Sequence, residues 1–191
     1  MEPTYADLRA CIYQTQEEFE RFRSIVINAV MATNIADKEL AELRKKRWET
    51  AFDKDTQALS TDVRMEYQHR KATIVIEHLI QASDISHTMQ HWHVYLKWNE
   101  KFFRETYKAY KAGRIDKDPA ETWYNGEIGF FDFYIIPLVQ KLQACGVFGV
   151  AGDECLHYAK TNREEWKEKG KEIVEGYKGR ILEEATNASD K

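Results

Sequence analysis

Three cysteines, three prolines and nine glycines are few for a chain of 191 residues, and each scarcity excludes something. Cys11, Cys145 and Cys155 are odd in number, widely spaced and form no CxxC pair. That excludes a disulfide scaffold and suits a reducing compartment. The N-terminus, "MEPTYADLRAC", lacks the apolar core of a signal peptide, and no later run approaches the roughly 20 apolar residues that span a bilayer. The chain is expected to be cytoplasmic and to make no membrane contact of its own. An excess of positive charge is missing too. The formal charge is −4, and duplex binding usually needs a basic surface that displaces counterions, so nucleic acid is not an expected partner. The one basic cluster, "RKKR" from Arg44 to Arg47, lies in a charged, helix-forming stretch and reads as a solvated helix face.

What is present points to a folded domain. A hydrophobic fraction of 43% with 31% charged and 13% aromatic residues can bury a core, which a disordered or fibrous chain cannot. At roughly 100–200 residues per domain, one core is the working expectation. With so few breakers, helical spacing dominates, and the fold class is all-α. "TQEE" offers a capping box of Thr15 and Glu18, and the apolar face that follows runs through Phe19, Phe22, Ile25, Val26, Ala29 and Val30. Asn34 is placed to cap the next helix, "KELAELRKKRWETAF". A further helix is predicted from Thr61 to Ala82, with Val75, Ile76, Leu79 and Ile80 as its buried stripe. "ASDISHTMQ" breaks the pattern, and an aromatic helix from His91 to Lys111 ends at Gly113.

"DPAE" then supplies Asp118 as cap, Pro119 at the first helical position and Glu121 to close a box. This helix carries "NGEIGFFDFYIIPL", an apolar run that nevertheless keeps Glu127 and Asp132. Pro137 offers no N–H to the carbonyl of Phe133, so a kink is expected there. "GVFGVAGDE" reads as a loop, and residues 152–191 as one or two polar terminal helices.

Chemistry could sit at "SDISH". Asp84 follows an apolar helix end, and a carboxylate there needs a cation, a metal or several donors. It could bond to nearby backbone N–H groups as a local cap. Alternatively, Asp84, His87 and His91, at steps of three and four, could share a helical face and hold a divalent ion. His91 and His93 are expected to flank a buried Trp92. By residue type alone, Phe130, Phe131 and Phe133 are ordinary core aromatics.

"ASDISH", then Trp92, Tyr95 and Trp98, then "GEIGFFDFYIIPL" resembles the C-terminal part of the catalytic domain of class I 3′,5′-cyclic nucleotide phosphodiesterases. Trp98 lies fourteen residues after Asp84, the spacing of that family, and "VMATNIADKEL" resembles an earlier family helix. The similarity covers residues 5–145 in order, and the ending "CGVFGVAGDE" is similar to forms fused to a nucleotide cyclase, so a membrane-bound parent is compatible with it. The resemblance implies an all-helical domain that holds two divalent ions, Zn and Mg, and hydrolyses cAMP or cGMP to the 5′-nucleotide. An anionic phosphodiester needs charge neutralisation and a nucleophile formed near neutral pH, and two metals supply both.

By the same resemblance, Asp84 is a zinc ligand and Thr33 lies near the water shell of the second ion. Glu127 stands where the family has the glutamine that bonds the purine. Phe130 stacks on the base, Phe102 lies on its other face, and His87 stands near it. Gly126 and Gly129 would allow close approach. Asp132 receives no catalytic role.

Three departures follow. The family's other zinc ligands and its leaving-group acid come from "HNxxH" and "HD" motifs, and none of the six histidines here fits either. One aspartate does not make a zinc site, so the chain is expected to be part of a larger domain and inactive alone. Glutamate replaces glutamine at 127. An ionised carboxylate only accepts hydrogen bonds, which implies an altered base preference or a Glu127 kept neutral by burial. Asn34 replaces the family's aspartate. The competing expectations are a helical remnant that binds nucleotide weakly or self-associates through uncovered apolar faces, and a metal protein built on Asp84, His87 and His91.

Overall fold

Thr15 starts the first long helix as the sequence predicts. Its hydroxyl accepts the amide of Glu18 at 3.2 Å, while Glu18 Oε2 accepts the amides of Gln14 and Thr15 at 2.7 and 3.2 Å. The structure is a computed structural model that describes residues 5–52 and 61–189. Among these, every regular element is helical. Contacts divide the chain into two compact units, residues 1–84 and 85–191.

The first unit contains α1 (Ala6–Ile12), α2 (Gln16–Ala32), α3 (Lys38–Phe52) and α4 (Thr61–Asp84). Asp37, not Asn34, caps α3: its Oδ1 accepts the amide of Leu40 at 3.1 Å, because the helix begins only at Lys38. The predicted apolar face of α2 is largely uncovered within its own unit, with Val30 64% exposed and Ile25 and Val26 also exposed. On α4 the buried face is not the predicted stripe. Ile76 is exposed, while Ile74, Glu77, His78, Gln81 and Ala82 are buried. The polar members are satisfied within the unit, as buried polar groups must be. Arg47 Nη1 donates to both carboxylate oxygens of Glu77 at 2.9 and 3.0 Å, and Gln81 Nε2 donates to the carbonyl of Ala32 at 3.0 Å. Arg44 donates to the carbonyls of Ala32 and Asn34 at the C-terminal end of α2. Arg44 and Arg47 of "RKKR" therefore have structural partners, while Lys45, Lys46 and Arg47 remain exposed as the solvated-face reading expects.

In the second unit a short 3₁₀ turn (Ser86–Met89) leads into α5 (Trp92–Lys111). Tyr95, Asn99, Phe103 and Tyr107 form the buried face of α5 at steps of four. The rings of His91 and His93 stack on each other at 5.8 Å instead of flanking Trp92, which is half-buried against Tyr95. Gly113, at φ +69°, ends the run as expected. α6 (Pro119–Phe130) starts with the predicted proline, but Asp118 caps it alone by accepting the amide of Ala120, and Glu121 closes no box.

The expected kink at Pro137 is a π turn (Phe131–Ile135) between α6 and α7 (Ile136–Ala144). The amide of Ile136 reaches the carbonyl of Phe131, five residues back. The wider turn shifts the register so that the missing N–H of Pro137 interrupts no α-helical bond. It also sorts the aromatics. Phe131 is fully buried and Phe130 half-buried, whereas Phe133, expected in the core, is 87% exposed.

The terminal region forms one helix, α8 (Ala151–Ser189), within the expected one or two, and it carries a buried stripe. Leu156, Ala159, Asn162, Trp166, Val174 and Tyr177 bury one stripe of it at steps of three and four, or multiples of these, and the stripe packs on α5, α6, α7 and both short turns. Trp166 is the largest fully buried side chain of the unit. Gly170 sits against it, since a Cβ there would come within 2.8–2.9 Å of the Trp166 and Tyr124 rings.

Candidate functional site

In the second unit α5 and α6 run antiparallel, and the contacts between them are polar as well as aromatic. The Tyr95 hydroxyl donates to Glu127 Oε2 at 2.7 Å, Asn99 Nδ2 donates to that hydroxyl at 3.3 Å, and Trp123 Nε1 donates to Asn99 Oδ1 at 3.2 Å. Tyr95 and Asn99 are buried, so the chain of bonds lies where water screens little. Burial pushes the Glu127 carboxyl above the ordinary carboxylate value, and the hydrogen bonds from Tyr95 and Asn99 oppose that shift. Burial also raises the Tyr95 hydroxyl well above its ordinary value, with the Glu127 charge adding to it, so Tyr95 stays protonated and remains a donor.

Phe130 lies one turn beyond Glu127, half-buried and stacked on Tyr134 at 5.3 Å with 10° between the ring planes. Phe102 is 59% exposed and rests on Trp123 at 5.2 Å. Trp123 thus contacts Phe102 with its ring and Asn99 with its N–H. His87 lies in the 3₁₀ turn, half-buried, with its ring 6.0 Å from that of Trp98. Burial lowers the His87 value and favours the neutral imidazole. A groove of about 1050 Å³ in this unit runs between α5 and α8 along Leu96, Glu100, Arg104, Tyr177 and Arg180. Glu127 and Phe130 do not line it.

Asp132, left open by the sequence, is an ion-paired group. Arg163 Nε and Nη2 each donate to one of its oxygens at 2.9 Å, and that fork holds the carboxyl below its ordinary value. Arg163 lies 31 residues away on α8, and no local signal links the two.

In the first unit Asp84 is the last residue of α4 and is exposed. Its carboxylate takes part in no hydrogen bond or ion pair among the described residues, so the cap reading does not hold. Thr33 is exposed and its hydroxyl donates to the carbonyl of Val30 at 2.8 Å. Among the described residues no group of three or more His, Cys, Asp or Glu side chains is arranged to hold a metal ion. A single carboxylate and a hydroxyl bonded to its own helix do not fit a two-metal centre, and the Asp84, His87 and His91 trio is not assembled as one. Among the described residues no helix is long and apolar enough to cross a membrane.

Sequence reasoning missed Asn99 and Trp123, which hold Tyr95 and Phe102 in place. The signal was available in the spacing: Tyr95, Asn99 and Phe102 on α5, and Trp123, Glu127 and Phe130 on α6, share the same four-then-three step.

Comparison with curated proteins and with solved structures finds no match. The model of the 3′,5′-cyclic nucleotide phosphodiesterase family matches residues 9–146, well over half of the chain. The all-helical fold agrees with that match, and the chain belongs to the 3′,5′-cyclic nucleotide phosphodiesterases.

Proposed function

We propose that this chain supplies the nucleobase end of a cyclic nucleotide phosphodiesterase pocket, with Glu127 as the group that meets the base edge. Phe130 and Phe102 would contact the base faces, and His87 would stand at its edge. The bonded series Trp123, Asn99, Tyr95 and Glu127 carries this reading, because it fixes one acidic side chain one helical turn from a half-buried aromatic. A structural carboxylate would be cheaper as a hydrophobic residue of the same volume; a ligand-facing one has a reason to remain.

The state of Glu127 determines which base it suits. Ionised, it accepts the N6 protons of adenine or the N1–H of guanine, but repels guanine O6 and donates nothing to adenine N1. Neutral, as burial favours, it can donate to either of those acceptors as well.

Asp84, exposed and unbonded, is proposed as the one metal ligand of this chain, with Thr33 near the second ion. Hydrolysis then requires the histidine ligands and the leaving-group acid, which match no residue here, so this chain alone is inactive in this reading. The described residues do not by themselves fit the Zn and Mg pair that the resemblance implies. We also read the "CGVFGVAGDE" ending as that of cyclase-fused forms.

The test is turnover of cAMP and cGMP by the complete catalytic domain, with and without Glu127→Gln. A changed ratio of kcat/KM for the two nucleotides supports the reading, and an unchanged ratio removes Glu127 from base recognition.

A second reading, self-association without catalysis, has its own observation in the exposed Ile25, Val26, Val30 and Met31 on α2. Sedimentation of the chain, and of its Val30→Glu variant, separates the two: this reading requires a dimer that the substitution dissolves.

A further inference from the structure

The family match ends at residue 146, yet the bonds that hold the base-side residues in place come from beyond it. Asn162, fully buried on α8, donates from Nδ2 to the carbonyl of Thr88 at 2.9 Å and to that of Gln90 at 2.8 Å. These two carbonyls bracket the end of the 3₁₀ turn that carries His87. One residue on, Arg163 forks onto Asp132 in the π turn that follows Phe130. One helical turn on from Asn162, Trp166 Nε1 donates to the carbonyl of Tyr124, three residues before Glu127, and the same ring meets Tyr95 edge-on at 5.9 Å.

Each of these bonds reaches a segment that carries or orients a residue proposed to face the base. The turn also has bonds of its own. The Thr88 amide and hydroxyl both bond to the carbonyl of Ile85, and Gln90 Nε2 reaches the Ser86 carbonyl at 3.3 Å. The two bonds from the buried Asn162 amide tie the turn to α8. Among the described residues Asn162 Oδ1 is buried with no hydrogen-bond partner, so the bonds this side chain makes are those of its NH₂ group.

We propose that α8 is a clamp that shapes the base subsite, and that Asn162 is the positioning residue that fixes the turn carrying His87. The assignment of His87 to the base rests on the reading under Proposed function, whereas the clamp itself does not. The clamp predicts that losing the amide donor frees the turn without loosening the rest of the unit.

Hydrogen exchange of the full 191-residue chain tests this, with Asn162→Asp, Asn162→Ala and Val174→Ala compared. Asp keeps the size of Asn and removes the donor; Val174 is buried on the same helix but bonds to no part of the turn. The clamp predicts that the Thr88 amide exchanges at least about tenfold faster in both Asn162 variants than in Val174→Ala at matched global stability, the factor expected from about 1.4 kcal/mol of local protection. Equal exchange in all three variants, or a rate rise spread evenly over α5 and α6, would overturn it. If an Asn162 variant does not fold, Asn162→Gln, which keeps the donor on a longer arm, must restore protection at Thr88; a folded Gln variant with the Thr88 amide still unprotected also overturns it. Binding of a fluorescent cyclic GMP analogue to the same variants reads the other layer. Weaker binding in both Asn162→Asp and Asn162→Ala, with Val174→Ala unchanged, joins clamp to subsite, and failure of the wild-type chain to bind counts against the base-subsite reading while the exchange result still decides the clamp.

Discussion

The Tyr95 hydroxyl stands 2.7 Å from Glu127 Oε2, across the seam between two antiparallel helices. A buried donor held protonated faces a carboxyl that burial drives toward neutrality, so the pair sets both the stability of this seam and its chemistry.

Glu127 fixes a pH dependence. Its folded value lies above the ordinary 4.5, so the neutral form is favoured on folding. Its contribution to stability is whole below pH 4.5 and is lost as pH rises through the raised folded value. Glu127→Gln should therefore match the wild type near pH 4 and melt at a higher temperature at pH 7 to 8. Melting curves across that range check it; a Gln variant less stable at pH 8 would show that the ionised carboxylate is the better-accommodated form.

Tyr95→Phe removes the donor to Glu127 and the acceptor that Asn99 uses. The expected loss is about 1–3 kcal/mol, as for a buried polar group left unpaired. The loss should be larger at pH 8 than at pH 4, because only the ionised carboxylate depends strongly on that donor. Urea unfolding at both pH values measures it, and in the Glu127→Gln background the pH difference should vanish.

Gly170→Ala sets helix propensity against packing. Alanine gains about 1 kcal/mol in a helix interior, but its Cβ would lie 2.8 Å from the fully buried Trp166 ring and 2.9 Å from the Tyr124 ring. Overpacking of a rigid ring costs about 1–3 kcal/mol, so a net destabilisation is expected. A stabilised variant in thermal unfolding would mean that α8 and α6 can move apart freely.

Asp132 has the opposite sign to Glu127. Arg163 holds its carboxyl below the ordinary 3.8, so the pair stabilises above that pH and the contribution is lost as pH falls through the depressed folded value. Because the carboxylate remains about a third exposed, Asp132→Asn should cost only about 0.5–1 kcal/mol at pH 7 and less at pH 2. Denaturant titrations at the two pH values decide it.

The all-helical class, the Thr15 box, the Pro119 start and the Gly113 stop were legible because each rests on chemistry within four residues. Glu127 and Phe130 were assigned to the site by the family resemblance alone, since by residue type Phe130 is an ordinary core aromatic. The stripe of α8 was not, because Asn162 and Gly170 interrupt it with a polar and a missing side chain, and both make sense only against the Thr88 carbonyl and the Trp166 ring. Asp132 was opaque for the same reason, its partner being 31 residues distant. The π turn was read as a kink, since sequence shows that Pro137 lacks a donor but not how the backbone accommodates it. On α4 the apolar pattern misled, because Glu77 and Gln81 are buried through partners on other helices.

The most direct test of the base subsite is NMR titration of the isotopically labelled 191-residue chain with cyclic AMP and cyclic GMP. The ring resonances of Phe130, Phe102 and His87 should shift together on addition of nucleotide, and Phe130→Ala should abolish the response while leaving the remaining spectrum folded. Resonances of a folded chain that stay unmoved at millimolar nucleotide, or shifts confined to the groove between α5 and α8, would contradict the account.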